Sequence, residues 1–162
     1  ETPDTQQAIF EFPDFTMIWE HANGIGLGPY QRNHGIAFIG NNGTLIVDRG
    51  GWEVLPEIEN QRGVTKSKVE PVERRAAKPG ETGLAQHTSN FVNAIRENEG
   101  LNCDINVGSL AAINAHMGNV ALKTRGSLVW NHQSQVFDSN DEANALMTPV
   151  YRTPWSTPIK KS

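Results

Sequence analysis

Three glycines alternate in the stretch Gly24-Ile25-Gly26-Leu27-Gly28, directly after an apolar run. A glycine-rich loop can cradle the phosphates of a dinucleotide when it opens a helix and its glycines follow the spacing G-x-G-x-x-G. Here the required third position is Pro29 or Gln31, and no apolar helical stripe follows. The pattern therefore predicts a loop between two strands and no coenzyme site in this chain.

Polar and aromatic side chains around this loop are candidates for binding a small polar substrate. His21 and His34 flank the loop, which could bring the two imidazoles near each other. Arg49 and Trp52 lie beside Asp48 at a predicted turn and would suit a sugar, because an indole offers an apolar face and a guanidinium donates paired hydrogen bonds. The alternative there is a surface salt bridge beside a packed tryptophan. The predicted substrate-binding residues are Glu20, His21, Arg32, His34, Arg49, Trp52 and His87.

Residue spacing does not favour a metal site or a catalytic constellation. Glu20 and His21 are adjacent on a predicted strand, so their side chains point to opposite faces. His87 falls on the apolar stripe of a predicted helix, where a hydrogen-bonded core histidine is the commoner outcome and a ligand role the rarer one. Cys103 is the only cysteine, which excludes an internal disulfide. We assign no catalytic residue and no metal ligand, and rank a hydrolase lowest because no carboxylate pair has helpful spacing.

Composition restricts the class of protein. The 162 residues are 37% hydrophobic and 20% charged, which is typical of one soluble globular domain. The net charge of -4 and the interspersed charges argue against nucleic-acid and membrane partners. The chain opens on Glu1, so we expect a piece of a longer protein, and both a cytoplasmic and a periplasmic location stay open.

Residues 5–57 read as an antiparallel meander of about five short strands. Alternation places Ala8, Phe10 and Phe12 on one face of the first strand, and a tight turn at 41–43 joins the third to the fourth. In the third and fourth strands both faces are apolar, as with Ile36 and Ala37. A sheet that packs on a core with only one face would carry polar residues on its other face. We therefore expect both faces of this sheet to be covered.

The second half of the chain changes to a helical period. Residues 58–83 form a predicted long polar connection. A helix follows with Thr82 as its N-cap, and a second helix at about 105–123 is rich in small residues that permit close packing. A strand at 127–130, a short helix that stops at Pro149 and an irregular tail complete the chain. The prediction is a single α+β domain, 1–162, with a predominantly antiparallel open sheet and helices packed on one face.

Several dispersed segments resemble, in matching order, the C-terminal part of the Gfo/Idh/MocA family of oxidoreductases. The resemblance covers nearly the whole chain, with 58–80 as its variable section. The segments are TPDTQQAIFEFPDFTMIWEH, RNHGIAFIGNNGTLIVDRGGWEV, HTSNFVNAIRENEGLNCDINVGSLAAINAHMGNVAL and DEANALMTPVYRTPW.

The resemblance implies the substrate-binding and oligomerisation domain of an NAD- or NADP-dependent enzyme acting on a sugar or polyol. It implies that an N-terminal Rossmann domain, absent here, holds the coenzyme, and that a partner subunit covers the second face of the sheet in a homo-oligomer. Ala77-Lys78-Pro79 echoes the family's catalytic lysine segment without its preceding apolar strand, so that role is not transferred. We expect the chain alone to be inactive. The alternative is a stand-alone carbohydrate-binding or protein-interaction module.

Overall fold

The computed structural model describes residues 3–78, 80, 83–148 and 150–154. Contacts group the chain into two compact units: unit 1 comes from residues 1–22 and 105–162, and unit 2 from residues 23–104. The predicted N-cap Thr82, the predicted stop at Pro149 and the tail 155–162 lie outside the described residues.

The fold class is α+β with antiparallel sheets, as the sequence predicted. The strands are β1 Thr5–Glu11, β2 Thr16–Ala22, β3 Ile36–Ile39, β4 Gly43–Asp48, β5 Gly51–Pro56, β6 Ile58–Gln61, β7 Val64–Ser67, β8 Val72–Ala76, β9 Trp130–Asn131 and β10 Val136–Phe137. The helices are α1 Leu84–Glu97, α2 Ile105–Thr124 and α3 Asp141–Leu146, with a 3-10 helix at Pro29–Gln31. No helix among the described residues is both long and apolar enough to cross a membrane.

Unit 1 contains the β1–β2 hairpin, α2, the short β9–β10 pair and α3. Its core is a cluster of Val120, Phe137 and Ala143, against which Met117, Leu128 and Trp130 pack. Asn140 caps α3 by accepting a 2.8 Å hydrogen bond from the Ala143 N–H. Asn144 then accepts from the Phe137 N–H and donates to the Phe137 carbonyl, both at 2.8 Å. These bonds hold α3 against β10, so that Phe137 points into the core.

Unit 2 contains a four-stranded sheet of order β3-β4-β5-β8, the two-stranded β6–β7 ribbon and α1. The β3–β4 hairpin turns at Asn41-Asn42, where the Gly40 N–H donates to the Gly43 carbonyl at 3.0 Å. On α1, Asn90 is buried: it donates to the Glu99 carboxylate and the Gly100 carbonyl and accepts from the Asn102 N–H, each at 2.9 Å. Asn90 thereby ties the loop after α1 to the helix.

Three features differ from the predicted meander. The strands β1 and β2 form a sheet of their own, separate from β3, β4 and β5. The predicted polar connection folds into β6, β7 and β8, and β8 completes the larger sheet. The strand expected at 127–130 starts at its last residue, Trp130, and pairs with β10. The pairing of β8 with β5 joins segments that are distant in the chain, which a local pattern does not encode.

The apolar character of β3 and β4 on both faces is visible in unit 2. Ile46 is buried on β4, whereas Ile36 and Phe38 on β3 are each 58% exposed and Ile39 is 73% exposed. Since β3 is the outer strand of its sheet, these side chains form an exposed apolar edge. In the single chain, this edge leaves the sheet only partly covered.

Candidate functional site

The glycine stretch 24–28 lies in the loop between β2 and β3, as the sequence predicted. The loop leads into the three-residue 3-10 helix Pro29–Gln31 and then into β3. A dinucleotide pyrophosphate is bound at the N-terminus of a full helix, whose amides converge on the phosphates. The residues of this loop therefore do not fit a dinucleotide of the Rossmann type.

An arginine–carboxylate cluster of Arg32, Asp48, Glu53 and Arg74 lies in unit 2. Arg74 makes a bidentate contact with Asp48, with nitrogen–oxygen distances of 2.8 and 3.0 Å. Arg32 donates from Nη2 to Glu53, and its Nε lies 3.3 Å from Asp48 Oδ2 as an ion pair without a hydrogen bond. Because Arg32 leaves the loop after the 3-10 helix, the cluster attaches that loop to β4, β5 and β8.

Asp48 is the centre of this cluster. Its side chain is only 7% exposed, and Oδ1 also accepts a 2.6 Å hydrogen bond from the Gly50 N–H. The hydrogen bonds from Arg74 lower the pKa of Asp48 to about 2, with help from the Gly50 amide and the charge of Arg32 and against the opposing effect of burial. The carboxylate is therefore ionised at neutral pH, and both arginines are largely neutralised by acidic partners.

The predicted sugar site at the β4–β5 turn has a different arrangement. Arg49 is exposed, and the acid next to it pairs with Arg32 and Arg74. The guanidinium carbon of Arg75 lies 5.1 Å from the centroid of the Trp52 ring, so a cation–π contact occupies one face of the indole. The turn thus resembles the alternative arrangement, in which a salt bridge lies beside a packed tryptophan. The arginines that pair with Asp48 are Arg32 and Arg74, and not Arg49.

The remaining predicted site residues are dispersed. His34 is exposed, and its Nδ1 lies 2.7 Å from the Asn33 Oδ1. His87 is also exposed on α1, so the expectation that it would be a core histidine is wrong. His21 belongs to unit 1, whereas His34 and His87 belong to unit 2.

Glu20 and His21 point to opposite faces of the β1–β2 hairpin, which confirms their predicted alternation. Glu20 pairs with Gln7 in the ladder and accepts a 3.2 Å hydrogen bond from its amide. His21 instead pairs with Gln6, on the face that packs against α2. Of the seven predicted residues, His21 alone lines the cleft described next.

A cleft of about 320 Å³ opens in unit 1 between one face of the hairpin and α2. The hairpin supplies alternate residues of paired strands, which share a face because antiparallel partners point the same way. The helix supplies one face at the spacing i, i+3, i+4, i+7 and i+8. The lining residues are Pro3, Gln6, Phe10, Met17, Trp19 and His21 from the hairpin side and Ala111, Asn114, Ala115, Gly118 and Asn119 from α2.

Close approach of the hairpin to α2 forms the floor of this cleft. The Gln6 amide donates a 3.0 Å hydrogen bond to the Gly118 carbonyl. A Cβ at Gly118 would lie 3.4 Å from the Ala8 Cβ and 3.5 Å from the Phe10 ring, which are ordinary van der Waals distances, so the helix and the hairpin lie close together at this point. The lining of the cleft also includes the Trp19 indole and the amides of Asn114 and Asn119.

Sequence reasoning missed Trp19, Asn114 and Asn119, although both surfaces of the cleft were predicted. Alternation had placed Ala8 and Phe10 on one strand face, and the small residues of α2 had indicated close packing. Extending the alternation to the paired strand would have placed Trp19 on the same face. What the sequence did not show was that these two surfaces pack on each other.

No group of three or more His, Cys, Asp or Glu side chains among the described residues is arranged to hold a metal ion. Cys103 is exposed. The sequence matches no family model, and comparison with the curated proteins and with the solved structures finds no similar protein.

The arginine–carboxylate cluster predicts a specific acid dependence of stability. The pKa of Asp48 is lowered from 3.8 to about 2 on folding, so its contribution is complete above the unfolded value and declines as the pH falls towards 2. We expect the unfolding free energy of the wild type to fall across this window more steeply than that of Asp48→Asn, which lacks the titrating group. Urea unfolding at a series of pH values, followed by tryptophan fluorescence, measures the difference.

The matched control for Asp48→Asn is Glu73→Gln, which removes an exposed carboxylate next to Arg74 on β8. This variant should keep the acid dependence of the wild type. The role given to Asp48 would be contradicted if the unfolding free energies of the wild type and of Asp48→Asn fell equally steeply as the pH drops from the unfolded pKa towards 2.

Proposed function

We propose that this chain is the substrate-binding and oligomerisation domain of an NAD(P)-dependent oxidoreductase that acts on a sugar or polyol. The oxidoreductase class is supported by the ordered resemblance to the Gfo/Idh/MocA family across four segments of the chain. Because the loop at 24–28 does not fit a dinucleotide, the proposal assigns the coenzyme to a separate Rossmann domain. Substrate binding and assembly are then the tasks of the residues described here.

The proposed oligomerisation is supported by one observation, the exposed apolar edge of the four-stranded sheet. Ile36 and Phe38 share a sheet face with Leu45 and Val47, their partners on β4. Large apolar side chains exposed together commonly mark a surface that another protein covers. We propose that the sheet of a second subunit covers this face in a homo-oligomer.

The arginine–carboxylate cluster gives the charged residues near the predicted substrate loop a structural role in this proposal. It restrains the loop between β2 and β3 by joining Arg32 to Asp48 on β4 and to Glu53 on β5. Because both acidic residues pair with Arg32, its guanidinium is engaged within the cluster. Arg32 is accordingly a positioning residue in this proposal and does not contact substrate.

The test uses the complete coding sequence from which these 162 residues come. We expect it to encode a Rossmann domain upstream of Glu1, and its product to form oligomers by light scattering and to reduce NAD(P) in the presence of a sugar or polyol. The 162-residue chain, as the control, should show no heat of NAD(P) binding in calorimetry and no activity.

Two results would contradict the proposed function. The first is measurable NAD(P) binding by the 162-residue chain. The second is an upstream region that holds only a start codon or an unrelated domain, which would favour the stand-alone carbohydrate-binding or interaction module.

A further inference from the structure

We propose that the cleft between the β1–β2 hairpin and α2 is the binding site for an uncharged, polyhydroxylated ring. That this ring is the substrate rests on the proposed function above, but the site itself does not. The predicted substrate residues centred on the loop at 22–34 and the turn at 48–52. The cleft lies elsewhere, in unit 1.

The chemistry of the cleft selects against a charged ligand. The described residues that line it include no Lys, Arg, Asp or Glu, and their polar side chains are three amides and one imidazole. Placing an ion against such a surface removes water from it without supplying a counter-charge, which is unfavourable. The complementary ligand is therefore neutral.

The amides favour hydroxyl groups in particular. Each amide of Asn114 and Asn119 carries both a donor and an acceptor, and a hydroxyl group also carries both. Each hydroxyl of a ring can therefore donate to an amide oxygen or accept from an amide N–H. The amide of Gln6 already donates to the Gly118 carbonyl, so it joins the hairpin to the helix, and the two asparagine amides line the cleft.

The aromatic part of the lining complements the apolar face of such a ring. Trp19 is about half exposed, with Met17 and Phe10 on the same hairpin face. An indole plane binds the C–H face of a flat ring while its hydroxyls point outward to polar groups. The volume of about 320 Å³ is at the lower end of the range for ligand sites, which limits the occupant to about one ring.

The experiment titrates the isotope-labelled 162-residue chain with D-glucose, myo-inositol and D-glucuronate, followed by NMR of the tryptophan indole N–H groups. We expect a neutral probe to shift the Trp19 signal saturably and D-glucuronate to bind about tenfold more weakly. Asn114→Ala should weaken neutral binding about tenfold through loss of the amide contacts.

The matched control for Asn114→Ala is Asn106→Ala. It makes the same change near the start of the same helix, at an exposed residue outside the cleft lining. This variant should bind the neutral probes like the wild type. Spectra of both variants without ligand show whether each remains folded. Trp19→Leu is a second, independent variant that should weaken binding of the neutral probes.

Several outcomes would overturn the inference. These are no saturable shift with either neutral probe, a shift at Trp52 in place of Trp19, equally tight binding of D-glucuronate, or equal weakening by Asn106→Ala and Asn114→Ala. An apolar probe that binds the cleft in place of the sugars would also overturn it.

The inference and the proposed function fail separately. If the full-length protein reduces NAD(P) with a sugar but Asn114→Ala leaves its KM unchanged, the cleft assignment is wrong and the oxidoreductase stands. If neutral rings bind the cleft but no Rossmann domain is encoded upstream, the cleft assignment stands and the oxidoreductase is wrong.

Discussion

Replacing Phe137 by alanine is expected to lower the free energy of unfolding of unit 1 by about 3–5 kcal/mol. Phe137 is 3% exposed and belongs to the core cluster with Val120 and Ala143. Its ring meets that of Trp130 edge to face, with centroids 5.1 Å apart and an interplanar angle of 67°. Truncation therefore removes buried apolar area and an aromatic contact and leaves a cavity.

The size of the Phe137→Ala effect follows from how little else forms this core. Among the described residues, only a few large side chains pack around Val120 and Ala143, and Asn144 holds the Phe137 backbone at both its N–H and its carbonyl. With the backbone held, neighbouring groups cannot collapse fully into the space that the ring leaves. Urea unfolding followed by near-ultraviolet circular dichroism measures the loss.

The control for Phe137→Ala is Phe15→Ala in the turn of the β1–β2 hairpin. Phe15 is 59% exposed and stacks on Phe12 with ring centroids 4.5 Å apart. Because most of its surface already faces solvent, its truncation should cost about 1 kcal/mol or less. Comparable losses for the two variants would show that the core of unit 1 is not centred on Phe137.

Gly51→Ala is the second large effect that we expect, with a loss of about 3 kcal/mol or more in unit 2. An added Cβ would lie 2.1 Å from the Arg75 carbonyl oxygen and 3.0 Å from the Ala76 Cα, and the φ of Gly51 is +144°. Gly51 pairs with Ala76 at the start of the β5–β8 ladder. The neighbours in contact are backbone, which cannot rotate away, so the ladder must open.

Opening this ladder also bears on the arginine–carboxylate cluster. Arg74 precedes the displaced segment on β8 and makes the bidentate contact with Asp48. We therefore expect Gly51→Ala to increase hydrogen exchange of the amides in β8 as well as to lower the urea midpoint. Both quantities are measured on the same protein.

Gly26→Ala serves as the control for Gly51→Ala. A Cβ at Gly26 meets nothing within 4 Å, and its φ lies outside the left-handed region. The change should alter stability by about 0.5 kcal/mol or less. If Gly51→Ala were as mild as Gly26→Ala, the close approach of β8 to residue 51 would be contradicted.

The two candidate ligand regions differ in what they can bind. At the β4–β5 turn Asp48 pairs with Arg32 and Arg74, and Arg75 lies over one face of Trp52, while Arg49 is exposed. The cleft of unit 1 is lined by amides and an indole, and its described lining residues include no Lys, Arg, Asp or Glu. We therefore propose that the paired charges of unit 2 are structural and that the uncharged side chains of the cleft bind the ligand.

Much of the local structure followed from the sequence. The helix predicted at 105–123 is α2, Ile105–Thr124, because its small and apolar residues form a continuous helical pattern without proline. The hairpin turn at Asn41-Asn42 also followed, since these residues and the adjacent glycines suit a tight turn. The helix after the polar connection is α1, Leu84–Glu97, although its apolar stripe proved exposed at Leu84, Phe91 and Ile95.

The sequence by itself determined the α+β class, the positions of the helices, the β1–β2 and β3–β4 hairpins and the loop nature of the glycine stretch, because these depend on residues close together in the chain. Only the tertiary structure decided which distant segments meet. It paired β8 with β5, bound Asp48 to an arginine 26 residues away, and set α2 against a hairpin more than 100 residues earlier. Such contacts arise from burial and charge pairing across the folded chain, and a local pattern of residue types carries no record of them.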